Sequence, residues 1–123
     1  MHLDEYMKTI DVPKFEAVLR QLASEKPDFR YVELGAGAAD CRYDGPAVGS
    51  DGKAIGNPCS GCIFGQAFQR EGVTHGLMTT EPIWLITNDL NGFTRDRWNE
   101  LQMSQDTGDT WGEAIKHLGE NDA

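Results

Sequence analysis

Residues 35–57 constrain the fold more than any other stretch. Gly35-Ala36-Gly37-Ala38-Ala39 reads as flexible, and the run from Cys41 to Asn57 is rich in Gly, Asp and Pro. Helix-forming sequence lies on both sides of this insertion. At 123 residues the chain has the length of one domain, so both sides must share a core. Within the insertion, Ser50-Asp51-Gly52-Lys53 is the strongest turn signal, since Asp-Gly suits hairpin turns with positive φ at both central residues. Arg42–Val48 and Ala54–Gly56 are accordingly expected to form two short arms of a β-ribbon.

Around the insertion the helix signals are local and physical. Asp11 is placed to cap a helix with Pro13 in its first turn. Phe15, Val18, Leu19, Leu22 and Ala23 then follow the spacing of a buried stripe, and Pro27 ends the helix. Phe29 to Leu34 reads as a strand. Asn57-Pro58 is expected to open a second helix that Gly72 closes, with Cys62, Ile63, Ala67 and Phe68 on its inner face. Gly61 and Gly65 are four residues apart there, which lets another backbone approach closely. Pro82-Ile83-Trp84-Leu85-Ile86 reads as a short buried helix. Thr94 is expected to cap the next helix, carrying Trp98 and Leu101, and Gly108 to stop it. Thr110-Trp111-Gly112-Glu113 has capping-box spacing and leads into Ala114, Ile115 and Leu118. The expectation is a single α+β domain over residues 1–123, mostly helical, with a short β-ribbon inserted after the first helix. Residues 1–10 and 119–123 are expected to fray.

Composition narrows the class. Hydrophobic residues make up 39%, and three Trp, three Tyr and five Phe exclude a disordered acidic tail. No apolar run approaches the roughly 18–20 residues that span a bilayer. The N-terminus lacks the charge and apolar core of a signal peptide, so the expected location is the cytoplasm. The net charge of −9 argues against direct binding to a nucleic-acid backbone, which depends on Lys and Arg displacing counterions. Residues 88–123 carry eight acids and three bases, and residues 1–87 carry twelve and eight. A DNA mimic needs acids in two rows, and these are spread too evenly.

Several chemistries can be weighed residue by residue. Cys59 and Cys62 form a C-x-x-C, and Cys41 and His75 would complete a Cys₃His zinc set. The second half of that set is poorly spaced, and Cys41 and Cys62 also read as small buried hydrophobes. A thiol-redox role for Cys59 and Cys62 lacks the surrounding βαβ pattern. Gly45–Lys53 fails as a phosphate loop because Ala47 and Ala54 stand where Gly and Ser or Thr are needed. Asp40–Gly45 fails as a calcium loop because Arg42 occupies a ligand position. His2, His75 and His117 are scattered, and no catalytic frame is present. Asn57 and Ser60, at the expected helix start, could present backbone donors to the phosphate of a signalling nucleotide. Gln102, Gln105, Asp106 and Trp111 are the polar and aromatic residues expected to face outward.

Cys41-Arg42-Tyr43, Gly61-Cys62-Ile63-Phe64-Gly65 and the segment Trp98–Ile115 together resemble small proteins encoded by phages of actinobacteria. That resemblance, over roughly residues 41–43, 58–72 and 98–115, implies a phage protein acting inside an infected bacterium. The function expected is a small, acidic, non-enzymatic protein that binds and modulates a host protein or host defence, without a cofactor. The alternatives are a nucleotide sponge at an oligomer interface and a zinc-supported module.

Overall fold

A computed structural model describes residues 1–34 and 39–119. The expected flexible run from Gly35 therefore falls largely outside the described residues, as does most of the expected frayed tail. Among the described residues six α-helices follow in order: α1 (Leu3–Lys8), α2 (Val12–Glu25), α3 (Ile63–Arg70), α4 (Ile83–Ile86), α5 (Gly92–Asp106) and α6 (Trp111–Ala114), which runs into a 3₁₀ turn over Ile115–Leu118. Residues 1–10 hold α1, whose Leu3 and Tyr6 are buried.

The α+β expectation is overturned. Among the described residues there is no sheet, and the extended segments meet only at isolated bridges. Val48 bridges both Asp40 and Ala54, so the chain does reverse where Asp-Gly indicated. Only Gly52 takes positive φ there (78°), not both central residues. The ribbon stops short because Val48 exchanges its backbone bonds with Asp40 (2.8 and 3.0 Å) and the Ile55 and Gly56 amides both donate to Ala47 O, while the far end of the first arm curls around a side chain. The Tyr31 hydroxyl donates to the Gly45 carbonyl (2.7 Å) and accepts from the Arg42 amide (2.9 Å). Backbone groups of the first arm that lie beyond the reach of Ala54–Gly56 are satisfied by that one buried phenol. The expected strand at 29–34 is likewise extended but unladdered. Arg30 bridges Thr110 and Val32 bridges Gly56, which ties the chain before the insertion to both later regions.

The caps explain where each helix begins. Asp11 caps α2 as its sequence indicates, accepting from the Lys14 amide at 3.2 Å. Helix α3 starts five residues later than Asn57-Pro58 implied. The Asn57 side chain turns back to donate to the Arg30 carbonyl (2.6 Å) and so caps nothing. Cys62 takes the role, its sulfur accepting from the Gly65 amide at 3.4 Å. Asn91 rather than Thr94 caps α5, accepting from the Thr94 amide at 2.9 Å. The capping box at Thr110 and Glu113 is formed in full.

Glycines stop α3 and α5 in the same way. Past α3, the Gly72 amide donates to Gln69 O and the Val73 amide to Phe68 O; past α5, Gly108 donates to Gln105 O and Asp109 to Ser104 O. Both glycines have positive φ, and both pairs of bonds make the Schellman closure of a helix end.

One apolar core joins these elements. Phe15 from α2 lies 4.8 Å from Phe68 and 5.1 Å from Trp98, ring centre to ring centre. Such aromatic pairs contribute about 0.5–1.5 kcal/mol beyond the area they bury. Glu16, buried beside them, accepts from the Trp98 indole (2.7 Å) and from the Arg97 guanidinium (2.8 Å). A buried carboxylate is tolerated only with partners of this kind, and here they lock α2 to α5.

Candidate functional site

Helix α5 carries two glutamines one turn apart on its inner side. Gln102 Oε1 accepts from the Ile83 amide at 2.8 Å, the first residue of α4. Gln105 Oε1 accepts from the Ile63 amide at 2.8 Å, the first residue of α3, and from the Trp111 indole at 3.2 Å. First-turn amides have no partner within their own helix, so one helix supplies caps to two others. Tyr43 completes the joint. Its hydroxyl donates to the Glu81 carbonyl (2.7 Å) and accepts from Gln102 Nε2 (3.2 Å). Its backbone lies against Gly61 and Gly65, where an added Cβ would run into the Tyr43 carbonyl. The close approach that the four-residue glycine spacing suggested is therefore made by the Tyr43 backbone.

Three of the four residues expected to face outward are consequently inside. Trp111 and Gln105 have no exposed surface and Gln102 only 3%. Asp106 is half-buried, accepts from Gln105 Nε2 at 3.0 Å, and has its carboxyl pushed up to about 7 by burial and by the charge of Asp40. Asn57 bonds back to Arg30. Ser60 is exposed, and its carbonyl accepts from Gln69 Nε2 at 2.7 Å. Of the donors expected at Asn57 and Ser60, the Asn57 amide donates to Tyr31 O at 2.9 Å, and at the actual start of α3 Gln105 holds the Ile63 amide and Cys62 the Gly65 amide.

The cysteines are not gathered with His75. Cys41 and Cys62 are buried neighbours, and burial, reinforced by Cys62, pushes the Cys41 thiol well up. Cys59 is half-buried and its thiol is also raised by burial. A raised pKa keeps a thiol protonated and unreactive. His75 sits on the segment that pairs with the N-terminus, its carbonyl accepting from the Leu3 amide at 2.8 Å. Among the described residues no three or more His, Cys, Asp or Glu side chains are placed to hold a metal ion.

What the surface does present is an apolar region at α4 and the start of α5. Trp84 is 45% exposed, Leu85 48% and Phe93 73%. Two cations stack on it: the Arg95 guanidinium lies 4.4 Å from the centre of the Trp84 ring, and that of Arg97 lies 4.6 Å from that of Phe93. Arg95 Nη2 also donates to the Trp84 carbonyl at 2.8 Å, fixing the pair. Burial of all of Pro82–Ile86 is thus corrected. A helix turns about 100° per residue, so the four residues of α4 point all round its circumference. Only Ile83 is buried. That signal was present in the shortness of the apolar run between Pro82 and the polar Asn88-Asp89.

Alongside lies a cavity of about 550 Å³ between α1 and residues 76–89. Leu3, Met7, Leu85 and Ile86 contribute its apolar lining, and Asp4, Lys8, Glu81 and Asp89 its charges. No family pattern, curated protein or solved structure matches the chain.

Proposed function

We propose that this is a small, acidic, phage-encoded binding protein that modulates a host protein, and that it makes contact through the face formed by α4 and the start of α5. The observation that carries the reading is the exposure of Trp84, Leu85 and Phe93 on a chain that buries its other two tryptophans completely. Large apolar side chains left together at a surface mark interaction sites, and Trp and Arg are among the residues enriched where binding energy concentrates. The phage origin rests on the resemblance of residues 41–43, 58–72 and 98–115. Because Tyr43, Gly65, Gln105 and Trp111 all lie in the interior, those motifs account for the scaffold and leave the contact to residues outside them.

The test is affinity capture from an actinobacterial lysate, comparing the natural chain with a Trp84→Ser/Phe93→Ser variant. A host protein retained by the first and lost by the second is the expected result. Capture that ignores the double substitution would remove this face from the reading. A stoichiometric zinc ion or nucleotide in the native mass spectrum of the purified chain would replace the reading with a site-based one.

A further inference from the structure

The cavity between α1 and α4 combines an apolar floor with an excess of negative charge. Met7, Leu85 and Ile86 line the floor, while Asp4, Glu81 and Asp89 face Lys8 on the rim. Glu81 and Asp89 have no cationic partner within ion-pair distance among the described residues, whereas Glu16, Glu25, Asp44 and Glu71 are each paired with an Arg or Lys. Among the described residues the only ion-pair contact of Asp4 is with the His2 ring at 3.7 Å. The rim carboxylates are not gathered tightly enough to chelate a metal ion. They are spread around aliphatic surface instead.

Both walls are held from behind. The backbone of α1 is pinned where the Leu3 amide donates to His75 O and the Thr74 amide donates to Met1 O, each at 2.8 Å. On the other wall, Tyr43 holds the Glu81 carbonyl and Gln102 holds the Ile83 amide. A site fixed in this way loses little freedom when it is filled.

We infer that this groove seats a basic amphipathic segment of the partner protein, with Lys or Arg stems over Met7, Leu85 and Ile86 and their cations reaching Glu81 and Asp89. Long basic side chains carry an apolar stem and a charged head, which matches a lined floor with a carboxylate rim. The volume exceeds what one side chain needs and falls within the range of sites that enclose a ligand. Leu85 lines the cavity and is itself one of the exposed apolar side chains of α4, so the groove and the exposed face share that residue. The net charge of −9 favours the same occupant and speeds its approach. The inference rests on the binding-protein reading and names the chemistry of the partner.

The experiment is fluorescence anisotropy with a labelled synthetic Leu/Lys amphipathic helix, with its Leu/Glu counterpart and a scrambled peptide of equal charge as controls. Glu81→Gln/Asp89→Asn is expected to weaken the Leu/Lys peptide by about tenfold, a loss of the size expected when close charge pairs are broken. Asp28→Asn/Glu33→Gln, which removes the same charge from exposed acids outside the groove, is expected to change it by less than about twofold. Leu85→Ser should also weaken binding, and Lys8→Gln should strengthen it. Equal losses from the two double variants, or equal binding of the scrambled peptide, would reduce the effect to general attraction by an acidic protein and overturn the inference. If that happens while a captured host protein still depends on Trp84, the binding reading stands and only the groove is lost.

Discussion

The joint around Gln102 and Gln105 and the face around Trp84 are built from the same residue types, with opposite outcomes. In the interior, each tryptophan has an acceptor for its indole N–H: Glu16 for Trp98 at 2.7 Å and Gln105 for Trp111 at 3.2 Å. Both rings are fully buried. Trp84 has no such acceptor among the described residues and stays 45% exposed, with Arg95 stacked on it. A buried indole N–H without a partner costs about 1–3 kcal/mol, so the supply of acceptors decides which tryptophans the core takes in. Polar side chains on α5 build the scaffold, and the residues left without polar partners inside become the surface available to a partner.

The comparison breaks most sharply at Gly65. A Cβ there collides with the Tyr43 carbonyl and Cα, both backbone atoms with no rotamer to escape into. Gly65→Ala is expected to lower stability by more than about 3 kcal/mol, measured by urea denaturation. A loss below about 1 kcal/mol would mean that α3 and the Tyr43 segment are not locked together.

Gln105→Ala is next. It strands two buried donors, the Ile63 amide and the Trp111 indole, at about 3 kcal/mol in total by the usual cost of unsatisfied groups. Gln105→Glu keeps an acceptor in place but brings a carboxyl into the core, so it should recover stability only at a pH low enough to protonate it. If Gln105→Ala proves as stable as the natural chain, the helix-to-helix capping is decorative.

These two residues also show how far the sequence was legible. Most elements whose caps are local in sequence are readable: Asp11 before α2, the box at Thr110–Glu113, the stops at Gly72 and Gly108; α5 is the exception, its cap being Asn91, three residues before Thr94. Elements capped from a distance are not. Nothing near Asn57 announces that its side chain will turn back to Arg30, or that the start of α3 depends on Gln105, forty-two positions on. The β-ribbon failed for a related reason. Asp51-Gly52 reports a chain reversal, but Asp40, which takes the backbone bonds of Val48, and the Tyr31 hydroxyl, which holds the far end of the arm, lie outside the local window. Composition alone places Gln102 and Gln105 at the surface, because glutamine is mostly exposed. Their three-residue spacing on the same side as Trp98 and Leu101 was the available sign.

Asp106 sharpens the comparison on the pH axis. Its carboxyl sits at about 7 in the fold, against roughly 3.9 for a free aspartate. Between those values the folded chain binds more protons than the unfolded one, so stability falls as pH rises through that window. Below about pH 4 both states are protonated and this contribution is fully present. Asp106→Asn retains an acceptor for Gln105 and removes the titration. It should match the natural chain near pH 4 and exceed it at pH 8 by about 2 kcal/mol, allowing for partial exposure. Thermal unfolding across that range checks it, and parallel pH profiles for the two chains would place Asp106 in contact with water.

The smallest effect on stability is expected at the surface, and its smallness is what gives it meaning. Trp84→Phe removes the one tryptophan that solvent reaches and leaves Ile83, the buried residue of α4, untouched. Stability should stay within about 0.5 kcal/mol of the natural chain. Acrylamide should quench part of the natural chain's indole fluorescence and almost none of the variant's, since Trp98 and Trp111 are fully enclosed. A large loss of stability would make Trp84 a member of the core that happens to show an edge. A silent substitution with a lost quenching fraction instead separates the two roles. The interior tryptophans hold the fold through their N–H groups, and Trp84 contributes to the fold almost nothing that a binding surface would have to give up.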